Sequence, residues 1–581
     1  MDYYGKYLFW LQNDYFDEET KRELSLIKDN KEEIEERFYR DLEFGTAGLR
    51  GIIGAGTNRM NKYVVRKVSQ GIANYINEKG NNYSERGIVI AYDSRHKSPE
   101  FALEAALVFA ANGIKAWLFD ELRPVPVLSF AIRHLNAAAG IAITASHNPK
   151  DYNGYKVYGE DGAQLLPDQS DILLSKIEKI TDFSQVKIID KDNALETGLL
   201  NIIGKTVDDK YIEVLKTYCL NPGIIKEQNK NFNIIYTPLN GAGNKPVRRI
   251  LKEIGFENVF VVKEQEEPNP DFPNLKTPNP EDESVFKLAL EMAKEKDADL
   301  IIGTDPDSDR VGIMIKDRDG IYKSFTGNQI GCLMLHYLLS QKKGKGTLPS
   351  NGFIVKTIVT TELTKMIGKR YGVDVIEVLT GFKFIAEKIR ILDENGTMKY
   401  LLGFEESYGY LVGTYARDKD AVSASMVIAE MAAYYKSLGK TLNEILYEIY
   451  ETYGYADVEV VSYTLEGKEG LEQILAIMKR LRENKNIEIN GYDIIAIKDY
   501  LSRERYVLKN GKKENLDLPE SNVLYYELED GSWFCIRPSG TEPKIKIYIE
   551  VFGEDKDNTS KKLKDLKEKV LEIINNLTGG E

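Results

Sequence analysis

Cysteine is scarce in this chain, and the few cysteines present form no pattern. Only three of the 581 residues are cysteines, Cys219, Cys332 and Cys535, and they lie far apart. An odd number of widely spaced cysteines argues against a disulfide framework and indicates a reducing compartment. The sequence therefore predicts a cytoplasmic protein that folds without disulfide bonds.

Long apolar runs and an excess of positive charge are also lacking. No apolar stretch reaches the roughly 20 residues that a membrane-spanning helix needs, and the N-terminal sequence has no hydrophobic segment typical of a signal peptide. The formal net charge is −13, which disfavours nucleic acid or an anionic membrane as the main partner. We expect a monomer or a weak homo-oligomer that binds small molecules, with anionic ligands bound by a local cluster of cationic side chains.

Three segments share one order of patterns: a strand-like apolar run, a polar turn, a helical run, a glycine and a second strand-like run. They lie at residues 87–119, 233–262 and 353–378. This order is typical of a βαβ unit with parallel strands. Its recurrence predicts three similar α/β domains in tandem.

The C-terminal region has a different pattern, in which strand-like runs at 523–528, 533–536 and 545–551 precede an amphipathic helical run at 561–577. This order favours a mixed or antiparallel sheet closed by a helix. The predicted fold class is therefore α/β: three tandem similar α/β domains with mixed, largely parallel sheets, and a C-terminal α+β domain. We place domain I at 1–205, domain II at 206–322, domain III at 323–455 and domain IV at 456–581.

An acidic loop follows the strand-like run 298–302 and reads Gly303-Thr304-Asp305-Pro306-Asp307-Ser308-Asp309-Arg310. A spacing of two keeps the three carboxylates on one side of an extended backbone. Oxygen-only ligands favour a hard cation such as Mg²⁺, and Arg310 is left to bind another anion, most simply a phosphate. The loop is not an EF-hand, because Arg310 and Lys316 occupy the positions of the required Gly and Glu. A solvated acidic turn is the alternative.

A second candidate site follows the strand-like run 139–145, which ends in Ser146-His147-Asn148-Pro149. A serine at the end of a buried strand suits an exposed nucleophile, although the Gly-x-Ser-x-Gly elbow is missing. A helix N-cap is an equally open interpretation. On an extended backbone His147 would point away from Ser146.

Three other polar turns are weaker signals by themselves. Residues 44–51 form a Gly-rich loop, residues 403–409 place an acceptor and a hydroxyl on one face if extended, and residues 537–543 combine an arginine with two hydroxyls. The last combination favours a phosphate cradle, and the second could bind sugar hydroxyls. An ordinary turn stays open for each of them.

In their order and spacing, these motifs resemble those of the four domains of the α-D-phosphohexomutases, across nearly the whole chain. The matching motifs are Thr144–Pro149, Asp305–Arg310, Gly403–Ser407 and Arg537–Thr541. The segments Phe44–Gly51 and Asp151–Tyr158 resemble the phosphoglucomutase/phosphopentomutase branch of that family. Ser308 departs from the family pattern, in which Ala or Gly is commoner, and this change between ligands is expected to be harmless.

The resemblance implies three sets of site residues around a central cleft. The implied catalytic set is Ser146, which carries the transferable phosphoryl group, with Arg50, His147, Lys156 and Lys383. The implied metal set is Asp305, Asp307 and Asp309, with a phosphoserine oxygen of Ser146, around one Mg²⁺ per subunit. The implied substrate set is Glu405 and Ser407 for sugar hydroxyls, Arg310 close to the metal ligands, and Arg537, Ser539, Gly540 and Thr541 for the non-reacting phosphate.

The implied reaction interconverts α-D-glucose 1-phosphate and glucose 6-phosphate, with glucose 1,6-bisphosphate as intermediate and activator. A phosphopentomutase, a phosphomannomutase or a sugar-bisphosphate synthase would use the same residues, and the sugar loop 380–383 does not distinguish them. Two other classes stay open. A Mg²⁺-dependent phosphatase would need no distant phosphate cradle, and a non-catalytic sugar-phosphate sensor would not need Ser146 and three aspartates together.

Overall fold

The computed structural model describes residues 1–45, 48–465, 467–485, 487–538 and 544–578. The chain divides into two compact units, which we describe separately. The first unit comprises Met1–Gly327 and Phe382–Leu442, and the second comprises Asn328–Gly381 and Asn443–Glu581. No helix among the described residues is both long enough and apolar enough to cross a bilayer.

The strands of the described residues are, in chain order, β1 (Gly48–Ile52), β2 (Ile88–Tyr92), β3 (Ala116–Phe119), β4 (Ala139–Ile143), β5 (Tyr152–Tyr158), β6 (Leu200–Ile203), β7 (Ile234–Thr237), β8 (Val259–Val261), β9 (Leu300–Thr304), β10 (Val311–Lys316), β11 (Tyr322–Ser324), β12 (Gly352–Thr357), β13 (Asp374–Val378), β14 (Lys399–Glu405), β15 (Gly409–Leu411), β16 (Tyr455–Thr464), β17 (Ile494–Asp499), β18 (Glu504–Val507), β19 (Lys512–Asn515), β20 (Leu524–Leu528), β21 (Trp533–Pro538) and β22 (Lys544–Gly553).

The α-helices are α1 (Tyr3–Gln12), α2 (Glu18–Leu26), α3 (Lys31–Phe38), α4 (Lys62–Glu78), α5 (Asn81–Arg86), α6 (Ser98–Ala111), α7 (Val125–His134), α8 (Pro167–Glu178), α9 (Lys191–Glu196), α10 (Lys205–Lys216), α11 (Pro222–Gln228), α12 (Asn244–Ile254), α13 (Lys263–Glu266), α14 (Lys287–Lys296), α15 (Gly327–Gly344), α16 (Leu363–Tyr371), α17 (Phe382–Glu394), α18 (Ala421–Ser437), α19 (Leu442–Tyr453), α20 (Gly467–Glu483) and α21 (Lys556–Thr578).

The first unit contains two mixed sheets. One has the strand order β1-β5-β4-β2-β3-β6 and the other β11-β10-β9-β7-β8. Strands β4 and β9 are buried along their whole length, as expected for central strands that are covered on both faces. Both strands pair in parallel with a neighbour, β4 with β2 and β9 with β7. The loops that follow β4 and β9 carry the predicted serine and aspartates.

The three predicted βαβ units are confirmed. Strands β2 and β3 pair in parallel around α6, and β7 and β8 do so around α12. In the second unit β12 and β13 pair in parallel around α16. The strands of the third predicted domain are shared between the units, since β14 and β15 form an antiparallel hairpin in the first. The three domain boundaries at 205, 322 and 455 stay predictions.

The C-terminal sheet of the second unit is antiparallel, as predicted, with the order β16-β22-β21-β20-β17-β18-β19. One face of this sheet packs against α20 and α21 in an apolar core. This core includes Ile477 of α20, Phe534 of β21 and Leu566 of α21. The closing helix α21 begins at Lys556, five residues before the predicted start. Asp555 accounts for the earlier start, because its side chain accepts a hydrogen bond from the Asn558 N–H and so caps the helix.

A buried carboxylate links the C-terminal sheet to the start of α16 within the second unit. Glu550 accepts hydrogen bonds from Thr361 Oγ1 at 2.5 Å, from the Glu362 backbone N–H at 2.9 Å and from Trp533 Nε1 at 2.6 Å. Burial raises its pKa to about 7; the charge of Glu362 adds to this rise, whereas the hydrogen bonds and Lys356 oppose it. The protein therefore keeps a proton here that the unfolded chain releases in weak acid.

We expect this carboxyl group to make the second unit less stable as pH rises. Between pH 4.5 and 7 the unfolded chain loses the Glu550 proton while the native state retains it, so the free energy of unfolding falls and then levels off above pH 7. Replacing Glu550 with glutamine should remove about 3 kcal/mol of this decline. Urea unfolding at several pH values measures it, with the exposed Glu554→Gln as control. If the free energy of unfolding depended on pH equally in Glu550→Gln and Glu554→Gln, Glu550 would be ionised in the native protein.

Candidate functional site

The serine loop and the acidic loop meet in the first unit. Ser146 follows β4 and Asp305 follows β9, and Ser146 Oγ donates a hydrogen bond of 2.8 Å to Asp305 Oδ2. The two loops are also joined through Thr144, whose Oγ1 lies 3.3 Å from Asp307 Oδ2. Two motifs separated by about 160 residues in sequence therefore form one site, because both leave their sheets at the carboxyl end of a buried strand.

The three predicted aspartates converge. Asp305, Asp307 and Asp309 are at most 1% exposed, and each offers an oxygen within 4.8 Å of the other two. Asp305 Oδ1 accepts from the backbone N–H groups of Asp309 and Arg310, which closes the loop. Ser308 adopts a left-handed backbone with φ 52° at the turn.

This cluster fits a hard divalent cation. Asp307 Oδ1 and Asp309 Oδ1 are buried and have no hydrogen-bond partner among the described residues, so two charged oxygens are free to act as ligands. Burial and the charges of Asp307 and Asp309 raise the pKa of Asp305 well above its usual value. A cation bound by these carboxylate oxygens would relieve the repulsion between the negative charges of the three aspartates.

Two lysines neutralise part of the acidic charge. Lys156, on β5, places Nζ 2.8 Å from Asp307 Oδ2 and 3.4 Å from Asp309 Oδ2. Lys419, just before α18, places Nζ 2.9 Å from Asp309 Oδ2. Burial opposes ionisation of Asp309, but Lys419, Lys156 and Arg310 outweigh it and hold the pKa of this carboxyl below its usual range. The site thus contains acceptors for a metal beside donors for an anion.

Lys419 was missed by the sequence analysis. It stands in Arg417-Asp418-Lys419-Asp420, which looks like a charged surface turn. All four residues are nevertheless more than 90% buried, since Asp420 caps the buried helix α18 through the N–H groups of Val422 and Ser423. A charged run directly before an almost wholly apolar helix was the available signal.

The backbone of Ser146 is left-handed, with φ 51°, and this corrects our expectation about His147. Neighbouring side chains point apart on an extended chain, but the strand ends at Ile143 and the turn at Ser146 brings His147 Nδ1 to 3.2 Å from Ser146 Oγ. Burial, with the charges of Arg310 and Arg50, holds the pKa of His147 well below its usual value. The lowered pKa favours the neutral imidazole.

The other predicted residues of the first unit lie on separate elements. Arg50, on β1, donates to Asn148 Oδ1 at 2.8 Å, and Arg310 forms an ion pair with Glu281. Glu405 ends β14 and is buried, which raises its pKa to about 7 against the charges of Lys419 and Arg310. Ser407 is half-buried in the β14–β15 turn.

The remaining predicted residues are a lysine of the first unit, an arginine, and residues 539–541. Lys383 is in the first turn of α17, with Nζ 5.3 Å from the centre of the Phe384 ring. Arg537, on β21, belongs to the second unit. Ser539, Gly540 and Thr541 lie outside the described residues. The role of each residue stays a prediction.

Four family models match the chain in order. Their descriptions are phosphoglucomutase/phosphomannomutase alpha/beta/alpha domains I, II and III and the C-terminal domain, and they match residues 41–183, 209–320, 326–453 and 475–572. Together they span most of the sequence. The N-terminal helices α1–α3 precede the first match.

Curated relatives and solved structures agree with these matches. Phosphoglucomutases of Staphylococcus aureus strains MRSA252 and bovine RF122 / ET3-1 are each 42% identical over 545 residues, which is 93% of this chain and 96% of theirs. Parafusin, a phosphoglucomutase from Paramecium, has a TM-score of 0.69 at 18% identity, covering 94% of this chain and 96% of its own. A phosphoglucomutase/phosphomannomutase family protein from Burkholderia thailandensis has a TM-score of 0.66 at 19% identity, covering 92% and 98%.

Proposed function

Because this chain belongs to the phosphoglucomutase/phosphomannomutase family, we propose that it is an isomerase that interconverts α-D-glucose 1-phosphate and glucose 6-phosphate. The observation that carries the proposal is the hydrogen bond of 2.8 Å from Ser146 Oγ to Asp305, at the edge of a buried cluster of three aspartates and two lysines. A hydroxyl beside metal ligands and cations suits a phosphoryl carrier. The identity to relatives named phosphoglucomutase supports glucose phosphates as substrates.

In the first half-reaction, phospho-Ser146 phosphorylates the free hydroxyl of a glucose monophosphate. The bond between phosphorus and Ser146 Oγ breaks and a bond from phosphorus to the sugar oxygen forms. The proton of the sugar hydroxyl leaves to a base, and the departing Ser146 Oγ takes up a proton. The products are glucose 1,6-bisphosphate and free Ser146. A serine phosphate ester suits this role because it is much less prone to hydrolysis than an aspartyl phosphate.

In the second half-reaction, the bisphosphate turns round and Ser146 Oγ attacks its other phosphate. The hydroxyl proton of Ser146, which Oγ donates to Asp305 Oδ2 in this structure, must leave to a base, and His147 Nδ1 lies 3.2 Å from the same oxygen. The bond between phosphorus and the sugar oxygen breaks, that oxygen takes up a proton, phospho-Ser146 is regenerated, and the isomer of the first substrate is released. No net phosphate is consumed or produced.

Cationic side chains offset the charge of the transferring group. We assign this role to Lys156, Arg50, Arg310 and the newly found Lys419. When bound by the three aspartates and a phosphoserine oxygen, Mg²⁺ would supply further compensation for the negative charge.

The rest of the substrate would be held by residues that do not react. We assign Glu405 and Ser407 to sugar hydroxyls, and Arg537 with Ser539, Gly540 and Thr541 to the non-reacting phosphate. Lys383 is assigned to acid–base or phosphate contact. Since both orientations of the bisphosphate must fit, one general phosphate cradle serves both half-reactions. The enzyme is expected to act in the cytoplasm on sugar phosphates, as a monomer or weak homo-oligomer.

The proposal predicts a lag that a trace of glucose 1,6-bisphosphate abolishes. Whenever the bisphosphate escapes before turning round, Ser146 is left without phosphate and the enzyme stalls until bisphosphate rebinds. Dephosphorylated enzyme given glucose 1-phosphate alone should therefore start slowly, and bisphosphate at a small fraction of the substrate concentration should give full speed at once. A coupled assay for glucose 6-phosphate measures this.

The same assay separates the other classes. Release of inorganic phosphate without a lag would indicate a phosphatase, and binding without turnover a sugar-phosphate sensor. Glucose, mannose and pentose monophosphates compared side by side identify the preferred sugar. A higher kcat/KM for a pentose or mannose phosphate would replace the proposed substrate and keep the mechanism.

A further inference from the structure

A buried arginine binds the backbone of the serine loop. The side chain of Arg95 is fully buried. Its Nη2 donates to the carbonyl oxygens of Ser146 and Asn148, both at 2.5 Å. Its Nη1 donates to those of Pro149 at 2.7 Å and Tyr152 at 3.1 Å. One guanidinium group thus contacts four carbonyls within a stretch of seven residues, which a rigid planar donor can do and a flexible ammonium cannot.

The amide side of Ser146 is fixed by a second buried group. The Ser146 N–H donates to Thr144 Oγ1 at 2.8 Å, and that hydroxyl donates in turn to Asp93 Oδ2 at 2.6 Å. Because Asp93 takes the hydroxyl proton, the oxygen of Thr144 is left as an acceptor for Ser146. Asp93 itself is fixed by the backbone N–H of Arg95 and by Ser98 Oγ at 2.7 Å. The two peptide groups on either side of Ser146 are therefore both held by buried partners.

This restraint coincides with backbone strain at Ser146. A φ of 51° is uncommon for residues other than glycine, and such a conformation persists only where its surroundings impose it. The left-handed turn directs Ser146 Oγ to Asp305, at 2.8 Å. A relaxed, extended backbone would turn the hydroxyl away from the aspartate cluster.

We propose that Arg95 is a positioning residue, which holds Ser146 in the strained conformation that presents its hydroxyl for phosphoryl transfer. Asp93, acting through Thr144, forms the second half of the same device. The proposal rests on the proposed function of Ser146 as phosphoryl carrier. Neither Arg95 nor Asp93 needs to touch the substrate for this role.

Replacing Arg95 with lysine tests the proposal. Lysine keeps the charge but cannot donate to four carbonyl oxygens at once. Ser146 Oγ should therefore shift from its present position. We expect kcat to fall about 100-fold, with KM for glucose 1-phosphate within about twofold of the wild type, since the groups that bind substrate are untouched. The matched control is Arg59→Lys, which changes another buried arginine that pairs with Glu33 and Glu36 and should leave kcat unchanged.

A second pair of variants covers the case in which Arg95→Lys fails to fold. Thr144→Ser keeps the hydroxyl between Asp93 and Ser146 and should retain nearly full kcat, whereas Thr144→Val removes both hydrogen bonds at nearly constant volume and should lower kcat with little change in KM. A purely structural role would lower the melting temperature of the folded variants without this split between kcat and KM.

Crystal structures of the same variants provide a readout that does not depend on activity. We expect the φ of Ser146 to leave the left-handed region in Arg95→Lys or Thr144→Val. Wild-type kcat in both variants, or an unchanged φ of Ser146 in both, would overturn the positioning role. An inactive wild type would instead refute the proposed function, and the backbone conformation would then still decide the role of Arg95.

Discussion

Ser146→Ala is expected to lower turnover by well over ~10³-fold while the protein folds normally, because no covalent carrier remains for the phosphoryl group. The substitution removes only Oγ, which donates to Asp305 and faces His147. Alanine meets the left-handed backbone at about the same cost as serine, so the melting temperature should change little. Steady-state assays in both directions measure the loss.

Two further measurements make this prediction specific. Intact-mass analysis of the wild type should show partial phosphorylation, located at Ser146 by fragmentation and missing in Ser146→Ala. The control Ser175→Ala removes an exposed serine hydroxyl on α8 and should change neither turnover nor phosphorylation. Phosphate found only at other positions would disprove the assignment of Ser146.

Removal of the metal should have the second-largest effect. Excess chelator is expected to abolish turnover, and Mg²⁺ to restore it, because chelation would remove the cation that we propose to offset the charge of the three buried aspartates. Chelation should also lower the melting temperature. A ligand at 100 times its dissociation constant stabilises the native state by about 2.7 kcal/mol.

Asp307→Asn tests whether this carboxylate is a metal ligand rather than only one of several negative charges at the site. One anionic ligand is lost, so a higher Mg²⁺ concentration should be needed for half-maximal activity. In the control Asp297→Asn, an exposed aspartate that pairs with Lys316 is changed, and the Mg²⁺ requirement should stay as in the wild type. Full activity in excess chelator would disprove the metal site.

Much of the fold and part of the site could be predicted from local patterns. The runs that form β2, β7 and β12 are largely apolar, and a strand buried on both faces needs such a run, so the parallel βαβ units were visible in the sequence. The Asp305–Asp309 spacing likewise predicts a cluster from short-range geometry alone. These features depend on neighbours within a few residues.

Other features depend on contacts between distant segments. Lys419 reaches Asp309 across about 110 residues of sequence, and Arg95 contacts Ser146 across about 50. No period or spacing encodes such pairs. The position of His147 was predicted wrongly for a related reason, since a left-handed turn at Ser146 is imposed by tertiary hydrogen bonds and has no local signal such as glycine.

The left-handed backbone at Ser146 also restricts which hydroxyl amino acid could occupy this position. Threonine offers the same oxygen and would form the same kind of phosphate ester. Its branched Cβ, however, makes a positive φ a genuine outlier, so Ser146→Thr would either strain the turn or move the hydroxyl off Asp305. The left-handed backbone thus favours serine over threonine at this position. Many kinases phosphorylate either residue, but this enzyme should not accept threonine in place of Ser146.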